Sequence, residues 1–387
     1  LTAEVVGHTL ADAGIGATEV GVVHVGNAFG ELITGQAHLG AMPATVCDDL
    51  WGVPASRHEA ACASGSVALL AAVADLSAGF YDVALVLGVE LERTVPAPTA
   101  SDHLGAAAFV GHEGRPGSVV WADMFDQVAD EYDRRYGIDD VHLRAIGGLN
   151  LANARRNPHA QTRSWNVPDV LGPAGTDDDV NPPVEGRLRR YDCSQITDGG
   201  AGLVVVSDAW LRDHPSARPK ARLASWAHRT TGLPLAPKLA RSADSPYVMP
   251  HVRDALTVAL GGAGVDLGDP DGLDGLDGLE THDCFSPSEY LAIDHLGLTA
   301  PGESWKAVED GSIEPGGRLP VNPSGGLIGG GHPVGATGVR MVLDATRQVS
   351  GTAGDYQVEG ARRFATLNIG GSTATTVSFV LEATPAD

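Results

Sequence analysis

The stretch that decides the fold runs Asn322-Pro-Ser-Gly-Gly-Leu-Ile-Gly-Gly-Gly-His-Pro-Val-Gly-Ala-Thr-Gly-Val-Arg340. It holds seven glycines and one histidine, and the apolar run Met341-Val342-Leu343 follows it. So many glycines allow the backbone to take positive φ angles and to come close to other atoms. A histidine in such a loop, just before a helix, is more typical of a catalytic residue than of a residue that packs in the core. The segment predicts a functional loop around His332, with Pro333 in the first turn of the helix.

The order of these residues resembles the Asn-x-x-Gly-Gly…Gly-His-Pro-x-Gly-Ala-[Ser/Thr]-Gly-x-Arg signature of the thiolases. The resemblance covers nearly the whole chain. It implies an α/β fold of two duplicated halves in a five-layer αβαβα sandwich, with a loop domain inserted in the first half. On this basis we place the N-terminal half at residues 1–212, with the insertion at about 119–190, and the C-terminal half at 218–387. The first strand of the family is missing before Leu1, so we expect the start of the chain to be trimmed.

The hydrophobic pattern agrees with two similar α/β halves. Apolar runs predict strands and helices in alternation, and in each half a helix begins at a loop of small residues. The predicted helices are Val5–Ala13, Ala44–Leu50, Cys62–Leu76, Val252–Leu260, Pro287–Leu296 and Gly338–Val349. The predicted strands are Glu19–Val25, Val83–Gly88, Gly199–Ser207, Arg222–Ala227, Gly278–Thr281, Phe364–Ile369 and Thr373–Glu382.

The composition excludes several classes of function. The 387 residues carry a formal charge of −23, with 26 basic and 49 acidic residues. Such a surface argues against non-specific nucleic-acid binding and against docking on anionic membranes. No apolar stretch reaches the roughly eighteen residues of a transmembrane helix, and the N-terminus does not resemble a signal peptide. The acidic, lysine-poor composition fits a halophilic source, and a GC-rich genome would explain the arginines equally well.

Four cysteines are widely spaced, with no Cys-x-x-Cys pair, so we expect a reducing cytoplasm and neither a disulfide framework nor a zinc site. Cys62 lies at the start of the predicted apolar helix, in His58-Glu-Ala-Ala-Cys-Ala-Ser-Gly-Ser66. A helix N-terminus favours an anion and so activates a thiol, although an isolated cysteine is more often inert and buried. The segment also resembles the loop in which thiolases carry the cysteine that is acylated.

A second candidate cluster is His282-Asp-Cys-Phe-Ser-Pro287, which directly follows a short predicted strand. His282 and Cys284 face the same side of an extended chain, at a strand end where α/β folds bind ligands. A metal half-site or two buried core residues are the alternatives from the residues alone. The segment resembles the His-Asp-Cys-Phe motif of the sterol-carrier-protein-2 type of thiolase, in which Cys284 would be the acid/base residue.

The later loop Asn368-Ile-Gly-Gly-Ser372 departs from the usual Cys-x-Gly-Gly-Gly pattern of thiolases. Asn368 replaces the cysteine, which agrees with an acid/base thiol that has moved to Cys284. The resemblance leaves Gly370 with an oxyanion-hole amide, shared with the amide of Cys62.

The resemblance implies the complete reaction. His332 would take the proton of Cys62, an acyl-CoA would acylate Cys62, and Cys284 would remove an α-proton from a second acyl-CoA. His332 and His282 would hold the enolate oxygen. We expect an acetyl-CoA C-acetyltransferase or 3-ketoacyl-CoA thiolase of lipid metabolism, of the sterol-carrier-protein-2 or archaeal type, with acetoacetyl-CoA as the expected ketoacyl thioester and with no metal or other cofactor.

Coenzyme A carries phosphates, so an acidic protein must offer a local basic patch for it. Arg155, Arg156 and Arg163 in the inserted region are candidates, and a solvated arginine face is equally compatible with the pattern. The expected partners are acyl-CoA and coenzyme A, a second copy of the chain in a homodimer or tetramer, and, as in some relatives, a small OB-fold subunit.

Three other interpretations stay open. A ketoacyl or hydroxymethylglutaryl synthase would share the nucleophilic cysteine and the fold. A thiolase-like retro-aldolase would cleave side-chain thioesters with an OB-fold partner and would not need the Cys/His/Cys set. A non-catalytic lipid-binding role would need none of these residues.

Overall fold

The computed structural model describes residues 1–115, 117–171, 175–269 and 272–384. The helices, in chain order, are α1 Thr2–Ala13, α2 Gly30–Ile33, α3 Met42–Val46, α4 Ser64–Ser77, α5 Ala97–Leu104, α6 Val120–Tyr136, α7 Asp140–Ala154, α8 Asp208–Asp213, α9 Leu235–Arg241, α10 Pro250–Gly262, α11 Ser286–Leu296, α12 Ser304–Glu309, α13 Gly326–Gly330 and α14 Thr337–Val349. The strands are β1 Val22–Gly26, β2 Ala55–His58, β3 Val83–Glu90, β4 Pro183–Glu185, β5 Leu188–Arg189, β6 Gly199–Val206, β7 Arg222–Thr230, β8 Gly278–Thr281, β9 Arg363–Gly370 and β10 Thr375–Glu382.

The chain forms two compact units that interleave in sequence. The first unit comprises Leu1–Leu104, Ile196–Pro219 and His332–Leu343, and the second comprises Gly105–Gln195, Lys220–Gly331 and Asp344–Asp387. The division of the sequence into halves at 1–212 and 218–387 stays a prediction.

The first unit is built on a four-stranded sheet in the order β2-β1-β3-β6. β1 pairs in parallel with β2 and β3, and β6 closes the sheet as an antiparallel neighbour of β3. All eight residues of β3 are buried, as expected for a continuous apolar strand in the middle of a covered sheet. The three parallel strands end at Gly26, His58 and Glu90, so the loops that follow them leave from one edge of the sheet.

The second unit is built on a sheet in the order β7-β10-β9-β8, in which β8 and β9 are parallel and β10 is antiparallel to both β9 and β7. Its largest apolar cluster joins α6, α7, α10 and α11 to this sheet. α11 is buried along its whole length and ends at Gly297, whose φ of 91° requires the freedom of glycine. β4 and β5 form a separate two-stranded sheet.

The structure confirms the α/β class and the predicted order of elements. β8 has the predicted bounds, and the predicted strand at Glu19–Val25 is β1 at Val22–Gly26. The prediction for Pro333 is wrong. Pro333 is extended (φ −72°, ψ 98°) and precedes a 3₁₀ turn, so α14 begins only at Thr337. The region 119–190, which we predicted as a partly helical loop region, contains the helices α6 and α7. Among the described residues, no helix is long and apolar enough to cross a membrane.

Candidate active site

Cys62 stands in a tight loop of the first unit, between β2 and α4. Ala61, the residue before it, has a φ of +50°, which is rare outside glycine and is typical of functional loops that their surroundings hold in place. Ser64 fixes this loop, because its hydroxyl accepts a hydrogen bond from the Ala60 N–H (2.9 Å) and donates one to the Ala61 carbonyl (2.6 Å). Cys62 is half-buried and lies two residues before α4, whereas the predicted helix Cys62–Leu76 begins at Cys62 itself.

Small residues allow α4 to begin at this place. A Cβ on Gly65 would lie 2.9 Å from the Gly335 carbonyl oxygen and 2.9 Å from the Val339 amide nitrogen. A Cβ on Gly26, at the end of β1, would lie 2.6 Å from the Gly65 Cα. The glycines therefore bring the backbone of α4 against the strand end and against the start of α14.

His332 lies in the same unit and is 7% exposed. One of its ring nitrogens is within 4.8 Å of the Cys62 sulfur. Its Nδ1 is 2.7 Å from Thr337 Oγ1, and that hydroxyl donates to the Pro333 carbonyl at 3.2 Å. Because the single hydroxyl proton goes to Pro333, Nδ1–H is the donor to Thr337 and Nε2 carries the lone pair. This tautomer leaves His332 able to accept a proton through Nε2.

Two buried carboxylates hold the backbone after His332. Glu92 accepts the Val334 N–H at 2.9 Å, and Glu90 accepts the Gly335 N–H at 2.9 Å. Burial raises the pKa of both carboxyl groups, and the neighbouring Glu90 raises the pKa of Glu92 further. Both residues belong to the first unit, and together they fix the Val334–Gly335 turn from which α14 starts.

In the second unit His282 and Cys284 directly follow β8, at its carboxyl end. They are 1% and 6% exposed. The His282 N–H donates to the Leu367 carbonyl at 2.9 Å, and the Asn368 side-chain amide donates to His282 Nδ1 at 3.2 Å. An amide NH₂ can only donate, so Nδ1 is the acceptor and the ring proton lies on Nε2. His282 is therefore held as a neutral donor through Nε2.

Asp283, between these two residues, anchors the glycine-rich segment. Its carboxylate accepts the backbone N–H groups of Leu327 (2.6 Å) and Ile328 (3.1 Å) and the side-chain amide of Asn150 (2.8 Å). Gly326 passes so close that any Cβ there would collide with the Asp283 carboxylate, and its φ is +59°. The contacts tie the His282–Cys284 peptide to α13 inside the second unit.

Glu289 on α11 extends this buried network. Its Oε2 accepts the side-chain amides of Asn150 and Asn322, each at 2.7 Å. Burial, and then the nearby Asp283 charge, raise the pKa of Glu289. Asn322 has a φ of +47° and accepts the Thr281 N–H at 2.8 Å, so the first residue of the glycine-rich segment is joined to the end of β8.

Gly370 is the last residue of β9, and the turn after it is held by side chains from other elements. The buried Lys238 ammonium donates to the Ser372 carbonyl and hydroxyl, the latter at 2.8 Å. A His251 ring nitrogen lies 2.9 Å from Thr373 Oγ1, and Thr373 has a φ of +63°. Ser372, which replaces a glycine of the usual thiolase loop, thus accepts the hydrogen bonds by which Lys238 stabilises this turn.

Sequence reasoning missed several of these supports. The roles of Thr337, Asp283, Glu92 and Lys238 arise from contacts between distant segments. Only the first two carried a signal, since Thr337 lies within the quoted glycine-rich stretch and Asp283 lies between His282 and Cys284.

Thiolate and imidazole groups are zinc ligands as well, so Cys62 and His332 of the first unit have the chemistry to bind a metal ion. That the protein uses no metal stays a prediction. Arg155, Arg156 and Arg163 follow α7 and line a pocket in the second unit.

Comparison with known proteins finds two family models that match the chain. The family model of the thiolase N-terminal domain matches residues 1–161, and a model described as thiolase C-terminal domain-like matches residues 239–383. An acetyl-CoA acetyltransferase of Methanothermobacter thermautotrophicus is 31% identical over 94% of this chain and 89% of its own length. Bovine sterol carrier protein 2 is 28% identical over 93% of this chain, and the aligned region spans 64% of its own length.

A solved structure, a chain described as "Ltp2-ChsH2(DUF35) aldolase", matches with a TM-score of 0.74 at 20% identity, over 97% of this chain and 90% of that chain. At that identity the match concerns the fold alone. The two family models and the acetyltransferase relative show that the chain belongs to the thiolase family.

Proposed function

We propose that the protein is an acyl-CoA C-acyltransferase that makes or cleaves a 3-ketoacyl-CoA, with acetoacetyl-CoA as the expected substrate or product. The observation that carries the proposal is the Cys62–His332 pair of the first unit, a thiol at a helix start with an imidazole nitrogen within 4.8 Å. The acetyl-CoA acetyltransferase relative, at 31% identity, supports this activity.

In the first step His332 Nε2 accepts the thiol proton of Cys62, which the N-terminus of α4 favours as a thiolate. The thiolate attacks the carbonyl of an acyl-CoA, and the S–C bond to coenzyme A breaks. The proton passes from His332 to the departing coenzyme A thiolate. The products are acyl-Cys62 and free coenzyme A, so the proton count balances.

In the second step Cys284, as a thiolate, takes an α-proton from a second acyl-CoA. His282, whose ring proton Asn368 holds on Nε2, donates a hydrogen bond to the developing enolate oxygen, and His332 shares that role. The carbanion attacks the acyl-Cys62 carbonyl. The oxyanion is stabilised by the amides of Cys62 and Gly370, and its collapse releases the Cys62 thiolate. Cleavage of a ketoacyl-CoA runs in reverse.

The proposed chemistry uses side chains and backbone amides, and we propose that it needs no resident metal or prosthetic group. We also propose that the enzyme works in the cytoplasm, in lipid metabolism, as a homodimer or tetramer.

Intact-mass measurement after incubation with acetyl-CoA tests the first step. Wild-type protein should gain one acetyl group, Cys62→Ala should gain none, and Cys284→Ala should gain one but form no acetoacetyl-CoA. Cys47→Ala, at a half-buried cysteine of the same unit as Cys62, is the matched control and should behave as wild type. An acetyl adduct on Cys62→Ala would contradict the assignment, and normal acetoacetyl-CoA formation by Cys284→Ala would return the acid/base role to another group.

One observation favours a second candidate, a lyase that cleaves side-chain acyl-CoA thioesters together with a small OB-fold subunit. The solved structure that shares this fold is named as an aldolase with a DUF35 component. Retro-aldol cleavage forms no acyl-cysteine, so this activity would survive in Cys62→Ala. Copurification of a small subunit fits both functions, whereas retro-aldol turnover without cysteine acetylation would favour the lyase.

A further inference from the structure

The turn between β9 and β10 has an unusual backbone conformation. It comprises residues 371–374 and directly follows Gly370, whose amide we place in the oxyanion hole. Gly371 has a φ of +62°, and Thr373 has a φ of +63°. A β-branched residue in this conformation is an outlier, and such residues persist only where their surroundings hold them in place. The supports of this turn are therefore part of what fixes the position of Gly370.

Thr373 is held from the start of α10. Its hydroxyl donates to the Met249 sulfur at 3.5 Å, so the same oxygen accepts from the His251 ring, whose Nε2 lies 2.9 Å away. This Nε2 is also 3.1 Å from the Thr373 carbonyl oxygen. Burial, and then the charge of Lys238, lower the pKa of His251 to about 4, with the Thr373 backbone opposing and His295 lowering it further. His251 is thus a neutral imidazole that donates from Nε2 to the turn.

Ser372 is held from α9 by the ammonium group of Lys238, which donates to its carbonyl and hydroxyl oxygens. Lys238 is 6% exposed, and within the described residues it forms no ion pair with a carboxylate. The carboxylate that acts on it from a distance, Glu113, accepts the N–H groups of Phe109 at 3.0 Å and Leu235 at 2.7 Å. A buried ammonium that is bonded only to neutral oxygens lowers the stability of a protein.

Lysine is rare in this chain, which makes position 238 unusual. Of the 26 basic residues only Lys220, Lys238 and Lys306 are lysines, and the other two are exposed. An ammonium is a compact point charge that can release its proton, whereas a guanidinium is larger and stays charged. A chain that uses arginine at almost every other basic position thus keeps a titratable cation at this turn, in spite of its cost in stability.

We propose that Lys238 is a positioning residue of the oxyanion hole, which holds the turn after β9 so that the Gly370 amide stays directed at the developing oxyanion. The inference rests on the proposed function. Donors of an oxyanion hole act because they are fixed before the charge develops, so a loosened turn lowers kcat rather than the affinity for acetyl-CoA. The ammonium charge, bonded two residues beyond Gly370 in a buried place, adds to the stabilisation of the oxyanion.

Steady-state kinetics of acetoacetyl-CoA formation at pH 7.5 test this role. Lys238→Met keeps a side chain of similar length without the donors, and it should lower kcat about 10- to 100-fold while KM for acetyl-CoA stays within about twofold of wild type. Lys306→Met is the matched control, because Lys306 is exposed and pairs with Glu303 at 2.7 Å, and it should keep both constants. Lys238→Met with the kcat of wild type, or with a change confined to KM, would overturn the proposal.

The pH dependence gives a readout that a purely structural lysine would not change. Burial lowers the pKa of Lys238 to about 8, with Glu113 opposing the shift. The ammonium loses its charge as the pH rises through this value, so kcat of wild type should fall there, and kcat of Lys238→Met should lack this fall. Lysine labelled with ¹³C at Cε gives one NMR signal for each of the three lysines and so follows Lys238 directly. If the Lys238 signal and kcat of wild type change at different pH values, the proposal is wrong, and this comparison needs no variant that folds.

Hydrogen exchange separates failure of this inference from failure of the proposed function. If wild type forms no acetoacetyl-CoA, the proposed function fails, and the amides of residues 370–373 still report on the turn. They should exchange at least about tenfold faster in Lys238→Met than in wild type and Lys306→Met. Equal exchange in the three proteins would show that Lys238 does not hold the turn, whatever the reaction is.

Discussion

Cys62 in the first unit and Cys284 in the second each stand two residues before a helix, α4 and α11. Cys62 is half-buried and is followed by the small residues Ala63, Ser64 and Gly65. Cys284 is 6% exposed and is packed among Phe125, Phe285 and Leu327. The same local arrangement therefore leaves Cys62 partly exposed and encloses Cys284.

A position just before a helix therefore does not by itself set the role of a thiol. A partly exposed thiol with an imidazole nitrogen within reach suits a nucleophile that must accept an acyl group. A thiol enclosed by aromatic and aliphatic side chains suits a group that only exchanges a proton. The two histidines differ in the same sense, since Thr337 leaves a lone pair on Nε2 of His332 and Asn368 leaves a proton on Nε2 of His282.

The largest expected effect comes from replacing Thr337 and Asn368, the hydrogen-bond partners of the two imidazole rings, by apolar residues of similar size. Thr337→Val should slow acetylation of Cys62 about 10- to 100-fold, because His332 loses the group that fixes its basic tautomer. Asn368→Leu should leave acetylation unchanged and slow carbon–carbon bond formation by a similar factor. Rapid-quench mass spectrometry measures the first step, and acetoacetyl-CoA formation measures the second.

The control for Thr337→Val is Thr45→Val, at an exposed helix threonine that also donates to the carbonyl four residues before it. It should leave both steps unchanged. If Thr337→Val and Asn368→Leu slow the same step, the division of roles between the two histidines is wrong.

The next effect concerns the glycines that allow α4 to pack closely beside the loop of Cys62. Gly65→Ala would place a Cβ 2.9 Å from backbone atoms of Gly335 and Val339, which cannot move aside as a side chain would. We expect the free energy of unfolding to fall by about 1–3 kcal/mol, with loss of acetylation. Gly7→Ala on α1 has no atom within 4 Å of the new Cβ and should raise stability by up to about 1 kcal/mol. Urea denaturation of both variants gives the answer, and equal stability of Gly65→Ala and wild type would contradict the packing argument.

Both cysteines could be proposed as site residues from the sequence, but their different burial could not. Cys62, His332, His282 and Cys284 could be found because each lies in a contiguous motif. β8 was predicted with its observed bounds, directly before the His282–Pro287 motif. Strand β2 was missed, since Ala55–His58 has neither an apolar run nor an alternating pattern and is a strand only through its pairing with β1.

What could not be predicted depends on contacts between distant parts of the chain. Asp283 reaches the backbone of Leu327 and Ile328 across more than forty residues, and Glu92 reaches Val334 across more than two hundred. A single sequence gives no measure of such pairings. The three arginines of the inserted region could be proposed as a basic patch, but only the fold shows that Arg347 lines the same pocket.

A smaller effect on stability is expected at alkaline pH and comes from Lys238 in the second unit. Burial lowers the pKa of Lys238 to about 8, from 10.5 in the unfolded chain, with Glu113 opposing the shift. Between these values the unfolded chain binds more protons than the folded protein, so this residue makes stability rise with pH, by at most about 1.4 kcal/mol per pH unit. Lys238→Met should remove that rise, and the exposed Lys306→Met should keep it. Denaturant midpoints from pH 7.5 to 10 measure the difference, and parallel curves for wild type and Lys238→Met would refute it.

The smallest effect lies in the first unit, on the acid side. His58 ends β2, and its Nε2 is 2.9 Å from His24 Nδ1, while His24 Nε2 lies 3.2 Å from Asp75. Burial and then the charge of His24 lower the pKa of His58 to about 4, with Asp75 opposing.

Because the unfolded chain takes up this proton near pH 6.5 and the folded protein only near 4, the contribution of His58 to stability is lost as the pH falls through that window. His58→Gln should therefore flatten the fall in denaturant midpoint between pH 6.5 and 4.5, whereas His8→Gln at an exposed position of α1 should not. Cys62 lies four residues after His58. Acetylation at pH 5 should therefore also be retained better in His58→Gln than in wild type or His8→Gln. If the denaturant midpoint of His58→Gln falls between pH 6.5 and 4.5 as steeply as that of wild type, another group causes the acid sensitivity of the first unit.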